Sequence, residues 1–244
     1  MNESIAYITD IHLDEEFPVT LGAVNPIEHD DNMRNNWKII LNDIESRGIR
    51  KIIFGGDIGK SSSNEWFFQS LLKFDIDLVL GNHDSYATVI KYFDKSVDAE
   101  QNELFYTKKN DYYKYIFLDS SAGEISQNQF TWLKRELISE KDVVIFIHHP
   151  ILPISAEVDK QFALKGRHLI ENELLGIKSK VTIFSGHYHL EDKKTKENIV
   201  QYITPASSYQ VEKITDEIRV HKDSFGYRII EFDKTEMKSN VILF

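Results

Sequence analysis

The residues best suited to chemistry are histidines and aspartates gathered in five short motifs. They read Asp10-Ile11-His12, Gly56-Asp57, Gly81-Asn82-His83-Asp84, His148-His149-Pro150 and Gly186-His187-Tyr188-His189, and six of the nine histidines lie inside them. Imidazole, carboxylate and amide oxygen together suit divalent cations of the hard-to-borderline kind. Ligands drawn from five separate places point to a two-metal centre, and such centres mostly do phosphoryl chemistry. On an extended segment, Asp-x-His and His-x-His put both side chains on one side, because strand side chains alternate. Asp10 and His12 are therefore expected to chelate one cation, and His187 and His189 to serve one metal or two adjacent ones. Asp57 on its glycine turn can bridge two cations through its two oxygens. Asn82 offers a neutral amide oxygen.

Positioning such a set requires strands that end together. Each motif follows an apolar run: Ala6-Tyr7-Ile8, Ile52-Ile53-Phe54, Leu78-Val79-Leu80, then residues 143–147 and 181–184. In open α/β sheets, ligands bind beyond the carboxyl ends of the strands. Five strands delivering polar residues at one edge would make the motifs converge. Helical spacing is expected over 32–47, 64–73 (opening on an Asn cap), 85–93, 127–137 and 167–175. A hairpin is expected around Asn110-Asp111. Residues 14–31 and 155–164 carry no motif and are expected to form loops that build the specificity pocket. From about residue 191 apolar and polar residues alternate, the pattern of antiparallel strands closing a sheet. The expectation is an α/β sandwich in one domain spanning 1–244, parallel in its first half and antiparallel at its end.

Composition sets the outer bounds. The chain has 244 residues, 41% hydrophobic and 28% charged, which is enough for a sizeable core. A formal net charge of −10 argues against a broad nucleic-acid or anionic-membrane face. With no cysteine, thiolate metal sites, disulfides and Cys nucleophiles are excluded. No leader-like basic and apolar stretch opens the chain, and no apolar run reaches the roughly 20 residues of a membrane span. A soluble cytoplasmic protein is the expectation.

Taken in this order, the motifs resemble those of the calcineurin-like metallophosphoesterases: Asp-x-His, Gly-Asp, Gly-Asn-His-Asp/Glu, His-x-Pro and Gly-His-x-His. The likeness runs from residue 5 to about 232. It includes Leu118-Asp119-Ser120, residues 129–133 and Thr204-Pro205-Ala206-Ser207-Ser208, blocks most similar to the cyclic-nucleotide and glycerophosphodiester phosphodiesterase branch. The resemblance implies a four-layer α/β/β/α sandwich of two mixed sheets flanked by helices. It implies one metal held by Asp10, His12, Asp57 and His189, and another by Asp57, Asn82, His148 and His187. His148 is chosen over His149 because the family's ligand stands two residues before the proline. The implied cofactors are two divalent or mixed-valent ions of the Mn, Fe, Zn or Co type. Two such cations against two carboxylates leave a site of about +2, an anion trap in an acidic protein. The implied reaction is hydrolysis of a small phosphate ester by metal-bound hydroxide, a diester in preference to a monoester. His83 is expected to protonate the leaving oxygen or to hydrogen-bond the phosphoryl group, with Asp84 orienting it. Family members are often dimers, so a homodimer is an implied partner.

Other readings are weaker. The segment Gly55-Gly56-Asp57-Ile58-Gly59-Lys60-Ser61 imitates a phosphate-binding loop, but it has three residues before Gly-Lys-Ser where that loop needs four. Protein phosphatases of the superfamily carry Gly-Asp-x-Val-Asp-Arg-Gly, and purple acid phosphatases carry a metal-binding tyrosine where this chain has Lys60. Lys60 is instead expected to face substrate. A phosphomonoesterase, a nuclease and a non-catalytic scaffold of the same fold are the alternatives, and the scaffold fits poorly because all seven ligand positions are filled. His29, His168 and His221 read as structural or solvated, Arg167 as a solvated helix start, and Asp119 as a turn residue or a functional one.

Overall fold

The computed structural model describes residues 3–15, 32–93, 102–232 and 236–244. Much of the expected 14–31 loop, and His29, lie outside them.

Two mixed sheets face each other. The first contains β1 (Glu3–Ile8), β2 (Lys51–Phe54), β3 (Asp75–Leu78), β12 (Gly226–Phe232) and β13 (Met237–Leu243), in the order β13-β12-β1-β2-β3. The second contains β4 (Tyr106–Lys109), β5 (Tyr113–Leu118), β6 (Asp142–Ile147), β7 (Val181–Ser185), β8 (Asp192–Lys196) and β9 (Ile199–Ile203), in the order β4-β5-β6-β7-β9-β8. A small ribbon pairs β10 (Gln210–Val211) with β11 (Val220–His221). Helices α1 (Asn32–Ser46), α2 (Asn64–Ser70) and α3 (Tyr86–Val89) belong to the first half. They are followed by α4 (Gln127–Glu136), α5 (Glu157–Phe162) and α6 (Arg167–Leu175).

The burial pattern accounts for the layers. Strand side chains alternate, so β1 sends Ile5 and Tyr7 to one face and Ala6 and Ile8 to the other. Ile5 and Tyr7 meet Phe117, Phe146 and Phe184 of the second sheet in an aromatic inter-sheet core. Ala6 and Ile8 pack with Trp37 and Ile40 of α1 and Phe67 of α2. On the far side, Ile145 and Ile147 of β6 pack with Leu133 of α4 and Ile170 and Leu174 of α6. This is the α/β/β/α arrangement. Local chemistry supports several boundaries. Ser126 caps α4 by accepting from the Gln129 amide. Asn110 Oδ1 accepts from the amides of Tyr112 and Tyr113 at 2.9 and 2.8 Å, the Asx turn of the β4–β5 hairpin.

Several expectations need correction. The β4–β5 hairpin forms around Asn110-Asp111 as expected, but the strands after residue 191 are not all antiparallel, since β9 runs parallel to β7. Asn198 explains the latter: its side-chain amide donates to the carbonyls of Leu174, Ile177 and Ser179, which pins the start of β9 beside the start of β7. Residues 157–162 form α5 where a loop was expected; it is short and its N-cap, Ala156, offers no side-chain bond. α2 is not capped by the Asn64 side chain, which donates to Thr88 Oγ1 while a 3-10 turn over Ser61–Ser63 leads in. Among the described residues, no helix is long and apolar enough to cross a membrane.

Phe146 is fully buried, with ring centroids 5.1 Å from Phe117, 5.6 Å from Phe184 and 5.7 Å from Tyr7. Phe146→Ala should therefore cost about 3–5 kcal/mol in unfolding free energy, measured by chemical denaturation. A loss below about 1 kcal/mol would show that the two sheets are not held by this stack.

Candidate metal centre

Every motif lies in the loop that leaves a strand: Asp10 after β1, Asp57 after β2, Asn82 to Asp84 after β3, His148 after β6 and His187 after β7. β1, β2 and β3 are parallel neighbours, as are β6 and β7, so their carboxyl ends meet where the two sheets adjoin.

The loops do not continue the strands. Asp10, His12, Asp57, His187 and His189 have φ of 56°, 50°, 62°, 68° and 51°. Extended alternation is thus not what brings Asp10 to His12 or His187 to His189. Left-handed residues turn the chain, and the middle residue of each motif, Ile11 or Tyr188, is driven into the core. Such backbone costs on the order of 1–3 kcal/mol per residue and persists only when its surroundings fix it. Here the amides of Asp10, Ile11, His12 and Leu13 donate to the carbonyls of Gly56, Asp57 and Ile58 at 2.8–3.1 Å, zipping the first two loops together. Ser207 and Ser208 hydroxyls donate to the carbonyls of Thr9 and Asp10 at 2.8 and 2.7 Å. Two glycines permit the close approach. A Cβ on Gly81 would collide with the Asp57 carboxylate, and one on Gly186 with that of Asp10.

Four imidazoles point inward, each anchored by its other nitrogen. Nδ1 of His148 meets the Gly55 carbonyl at 2.8 Å, Nδ1 of His189 the Tyr209 carbonyl at 3.1 Å, and Nδ1 of His12 the Glu15 carboxylate at 2.7 Å. His187 is reversed: its Nε2 meets the Phe162 carbonyl at 3.0 Å, which leaves Nδ1 for the site. An oxygen acceptor behind each ring fixes the proton there and leaves the inward nitrogen as a lone-pair donor. These donors crowd two carboxylates. His189 Nε2 is 3.3 Å from Asp10 Oδ1, and His148 and His12 Nε2 are 3.2 and 3.5 Å from Asp57 Oδ2. Nε2 of His12 and His189 are 3.0 Å apart. His148 Nε2 is buried without a hydrogen-bond partner. Facing donor nitrogens beside buried carboxylates are the donor set of a cation site, so the residues fit divalent metals. The groups Asp10, His12, His189 and Asp10, Asp57, His148 each bring their ligand atoms within 4.8 Å of one another.

The electrostatics follow from the same crowding. Burial opposes ionisation of Asp10 and Asp57, but the imidazoles outweigh it: His189 and His148 hold Asp10 down at about 2, and His148 and His12 hold Asp57 well below the carboxylate range. Both are anions at any physiological pH. His148 is pushed down by burial and up, to about 9, by Asp57 and Asp10. Burial and the neighbouring His148 drive His187 down to about 3.

His83 and Asp84 part company. The His83 side chain is 35% exposed and borders the cavity, and its Nδ1 lies 2.9 Å from Glu15 Oε1. Asp84 does not orient it. The Asp84 carboxylate accepts instead from the amides of Asp57, Ile58 and Gly81 at 2.8, 2.9 and 2.9 Å, tying the loop after β2 to the loop after β3. Asn82 lines the same cavity as Asp57 and His187. That cavity, about 150 Å³, has a polar floor of His12, Asp57, Asn82, His83, His187 and His189, and an apolar wall of Val158, Phe162, Tyr209, Val211, Ile218 and Val220. Of the adjacent histidines, His148 turns to the carboxylates, whereas His149 Nδ1 engages Ser120 Oγ at 2.9 Å and its ring lies against His187.

Residues 4–195 match the profile of the family described as calcineurin-like phosphoesterase. The chain belongs to this family. It is 24% identical over 244 residues to a "Probable cyclic nucleotide phosphodiesterase" of Fibrobacter succinogenes, covering 97% of this chain and 92% of that protein. It is 28% identical over 174 residues to a "Probable glycerophosphodiester phosphodiesterase GpdQ" of Arcobacter nitrofigilis, covering 66% and 64%. Its fold matches that of a dimetal phosphatase from Danio rerio with a TM-score of 0.68 at 12% identity, over 97% of this chain and 98% of that one.

Membership accounts for the motifs but not for what braces them here. Glu15 and the Phe162 carbonyl are not marked by any motif. Gln201 is another: its side chain accepts from the amides of Ile151 and Leu152 and donates to the Leu152 carbonyl, holding the loop after His148. Lys60 is exposed and does not line the cavity; its charge acts on Asp14. Arg167 is not a solvated helix start, since it pairs with buried Asp159, which also accepts from the Tyr188 hydroxyl at 2.7 Å. Asp119 accepts from the amides of Leu104 and Ser121.

Asp84→Ala would strip three amides of their acceptor, and it should destabilise the protein by at least about 1–3 kcal/mol. Asp84→Asn, which keeps an acceptor oxygen, should lose less. Thermal and denaturant melts check this. An unchanged melt with reduced hydrolysis would instead return Asp84 to the role of orienting His83.

Proposed function

We propose that this protein is a metal-dependent phosphodiesterase that hydrolyses a small phosphate diester of the cyclic-nucleotide or glycerophosphodiester type. The observation that carries this reading is the set of three imidazoles, His12, His148 and His189, each braced from behind and turned onto Asp10 and Asp57, with the braced ring of His187 beside His148. Family membership and the names of the relatives support the same reaction class.

Asp10, His12, Asp57 and His189 would hold one divalent ion, and Asp57, Asn82, His148 and His187 a second, with Asp57 shared. Mixed nitrogen and oxygen donors accept Mn, Fe, Co or Zn. Bound there, two cations supply Lewis acidity to the phosphoryl oxygens and lower the pKa of a water.

The chain's own groups do the rest. The carboxylates are already ionised, whereas His148, held up at about 9 by Asp57 and Asp10, must give up its Nε2 proton when a cation binds. His83 stands at the cavity edge with Nδ1 committed to Glu15, so Nε2 is the nitrogen available to the ester. As the ester P–O bond breaks, its electron pair stays on the leaving oxygen, which takes the Nε2 proton. A water oxygen joins phosphorus and releases one proton to solvent, from which His83 is reprotonated. The products are a phosphomonoester and an alcohol, which for a cyclic diester are two groups of one ring-opened molecule. Apolar residues of α5 (Val158, Phe162) and of the β10–β11 ribbon (Val211, Val220) line the cavity beside these polar groups. With a volume of about 150 Å³, the cavity is below the roughly 300–1,000 Å³ typical of larger ligands.

Two outcomes check this reading. Protein supplied with manganese should hydrolyse bis-p-nitrophenyl phosphate and 2′,3′-cAMP, and chelation should abolish the activity. Asp57→Asn should lower it by more than the roughly 10–100-fold cost of losing an outer-shell partner. Hydrolysis of p-nitrophenyl phosphate alone would contradict a diesterase. Separately, His83→Ala should lower kcat on diesters with alkoxide leaving groups by about 10²–10⁴-fold, and an unchanged pH–rate profile in that variant would remove His83 from proton transfer.

A further inference from the structure

One carboxylate serves two histidines. Glu15 Oε2 lies 2.7 Å from His12 Nδ1, and Glu15 Oε1 lies 2.9 Å from His83 Nδ1. The two rings stand edge to face with centroids 4.8 Å apart. We propose that Glu15 is a positioning residue: braced on His12, it holds the His83 imidazole by Nδ1–H so that Nε2 faces the cavity.

The backbone prepares Glu15 for this. Its amide donates to the His12 carbonyl at 3.3 Å, folding the chain back over the first motif. Leu13 on the way is clamped between Ile58 and Lys60 by backbone bonds of 2.8 and 3.0 Å. Asp14, beside it, is taken by Arg34 and by Ser63 Oγ, so the Arg34 charge is spent on Asp14 and not on Glu15. The Glu15 side chain is only 14% exposed, and a carboxylate that far from water needs partners. Both of its oxygens find them in imidazoles.

The consequence is chemical. A free imidazole exchanges its proton between two nitrogens and rotates, whereas a carboxylate behind Nδ1 fixes ring and tautomer and stabilises the imidazolium. His83 then presents a donor at Nε2 before transfer, and afterwards a neutral ring whose Nδ1–H still faces Glu15. Through His12 the same carboxylate is joined to the first motif, so the placement of His83 and that of a proposed metal ligand depend on one side chain. Asp84, the residue adjacent in sequence, is unavailable for this because backbone amides occupy it.

This inference rests on the proposed reaction, and its test separates the two. Glu15→Gln keeps the size and removes the charge. In zinc-loaded protein, ¹⁵N-imidazole spectra, with the His83 signals assigned by their loss in His83→Ala, should show Nδ1 protonated in the wild type and a mixed or reversed tautomer in the Gln variant. With manganese, Glu15→Gln should lower kcat about 10–100-fold on a diester with an alkoxide leaving group. It should do so only a few-fold on bis-p-nitrophenyl phosphate, whose leaving group needs little protonation. With manganese in saturating excess, which offsets a loosened His12, Glu15→Gln should add at most a few-fold to the loss already caused by His83→Ala on the alkoxide diester. Unchanged His83 signals, equal losses on both diesters, or additive losses in the double variant would each overturn the positioning role. If the wild type hydrolyses neither diester, the reaction is wrong while the spectra still report the Glu15–His83 contact.

Discussion

Two buried anions govern this structure. Asp10 and Asp57 are almost fully removed from water, yet both are held ionised by the imidazoles around them. A desolvated carboxylate is costly unless it is paired and hydrogen-bonded. The surroundings of both residues answer that cost. The His187 amide donates to Asp10 at 3.0 Å and the His83 amide to Asp57 at 2.9 Å. Three rings, those of His12, His148 and His189, then turn their inward nitrogens toward the pair. Donor nitrogens and carboxylates at these distances suit positive charge between them, and divalent cations would supply it.

The two-sheet architecture follows from that demand. Asp10 and Asp57 leave one sheet, while His148 and His187 leave the other, and the bonds that orient them cross between the sheets. His148 reaches the Gly55 carbonyl, and Asp10 reaches the His187 amide. Below, the aromatic layer of Tyr7, Phe117, Phe146 and Phe184 fixes how the sheets sit. Above, left-handed residues bend each loop inward, and neighbouring backbone carbonyls and serine hydroxyls hold them there. Core packing therefore sets the spacing of the site, and the strained loops set its direction.

Much of this was legible in the sequence because it is carried by side-chain type. The five motifs, their placement after apolar strands and the layered α/β class could all be read from the residues. Three features could not. The left-handed turns at Asp10, His12, His187 and His189 leave no clear mark, since aspartate and histidine also occupy extended backbone. The Gly55, Phe162 and Tyr209 carbonyls that brace the rings belong to the main chain, and any residue type could provide them. Glu15 stood among several acids at the start of an apparent loop, and only the fold-back onto His12 distinguishes it. Asp84 misled for the opposite reason: adjacency to His83 suggested contact, but the turn after Gly81 sends its carboxylate to the backbone.

In the proposed site the braced imidazoles and the two carboxylates would hold two cations with Asp57 between them. Crystals grown with manganese and measured on both sides of the manganese absorption edge test it most directly. Two anomalous peaks should flank the Asp57 carboxylate, one beside His12 and His189 and the other beside His148 and His187. A single peak, or peaks away from Asp57, would contradict it.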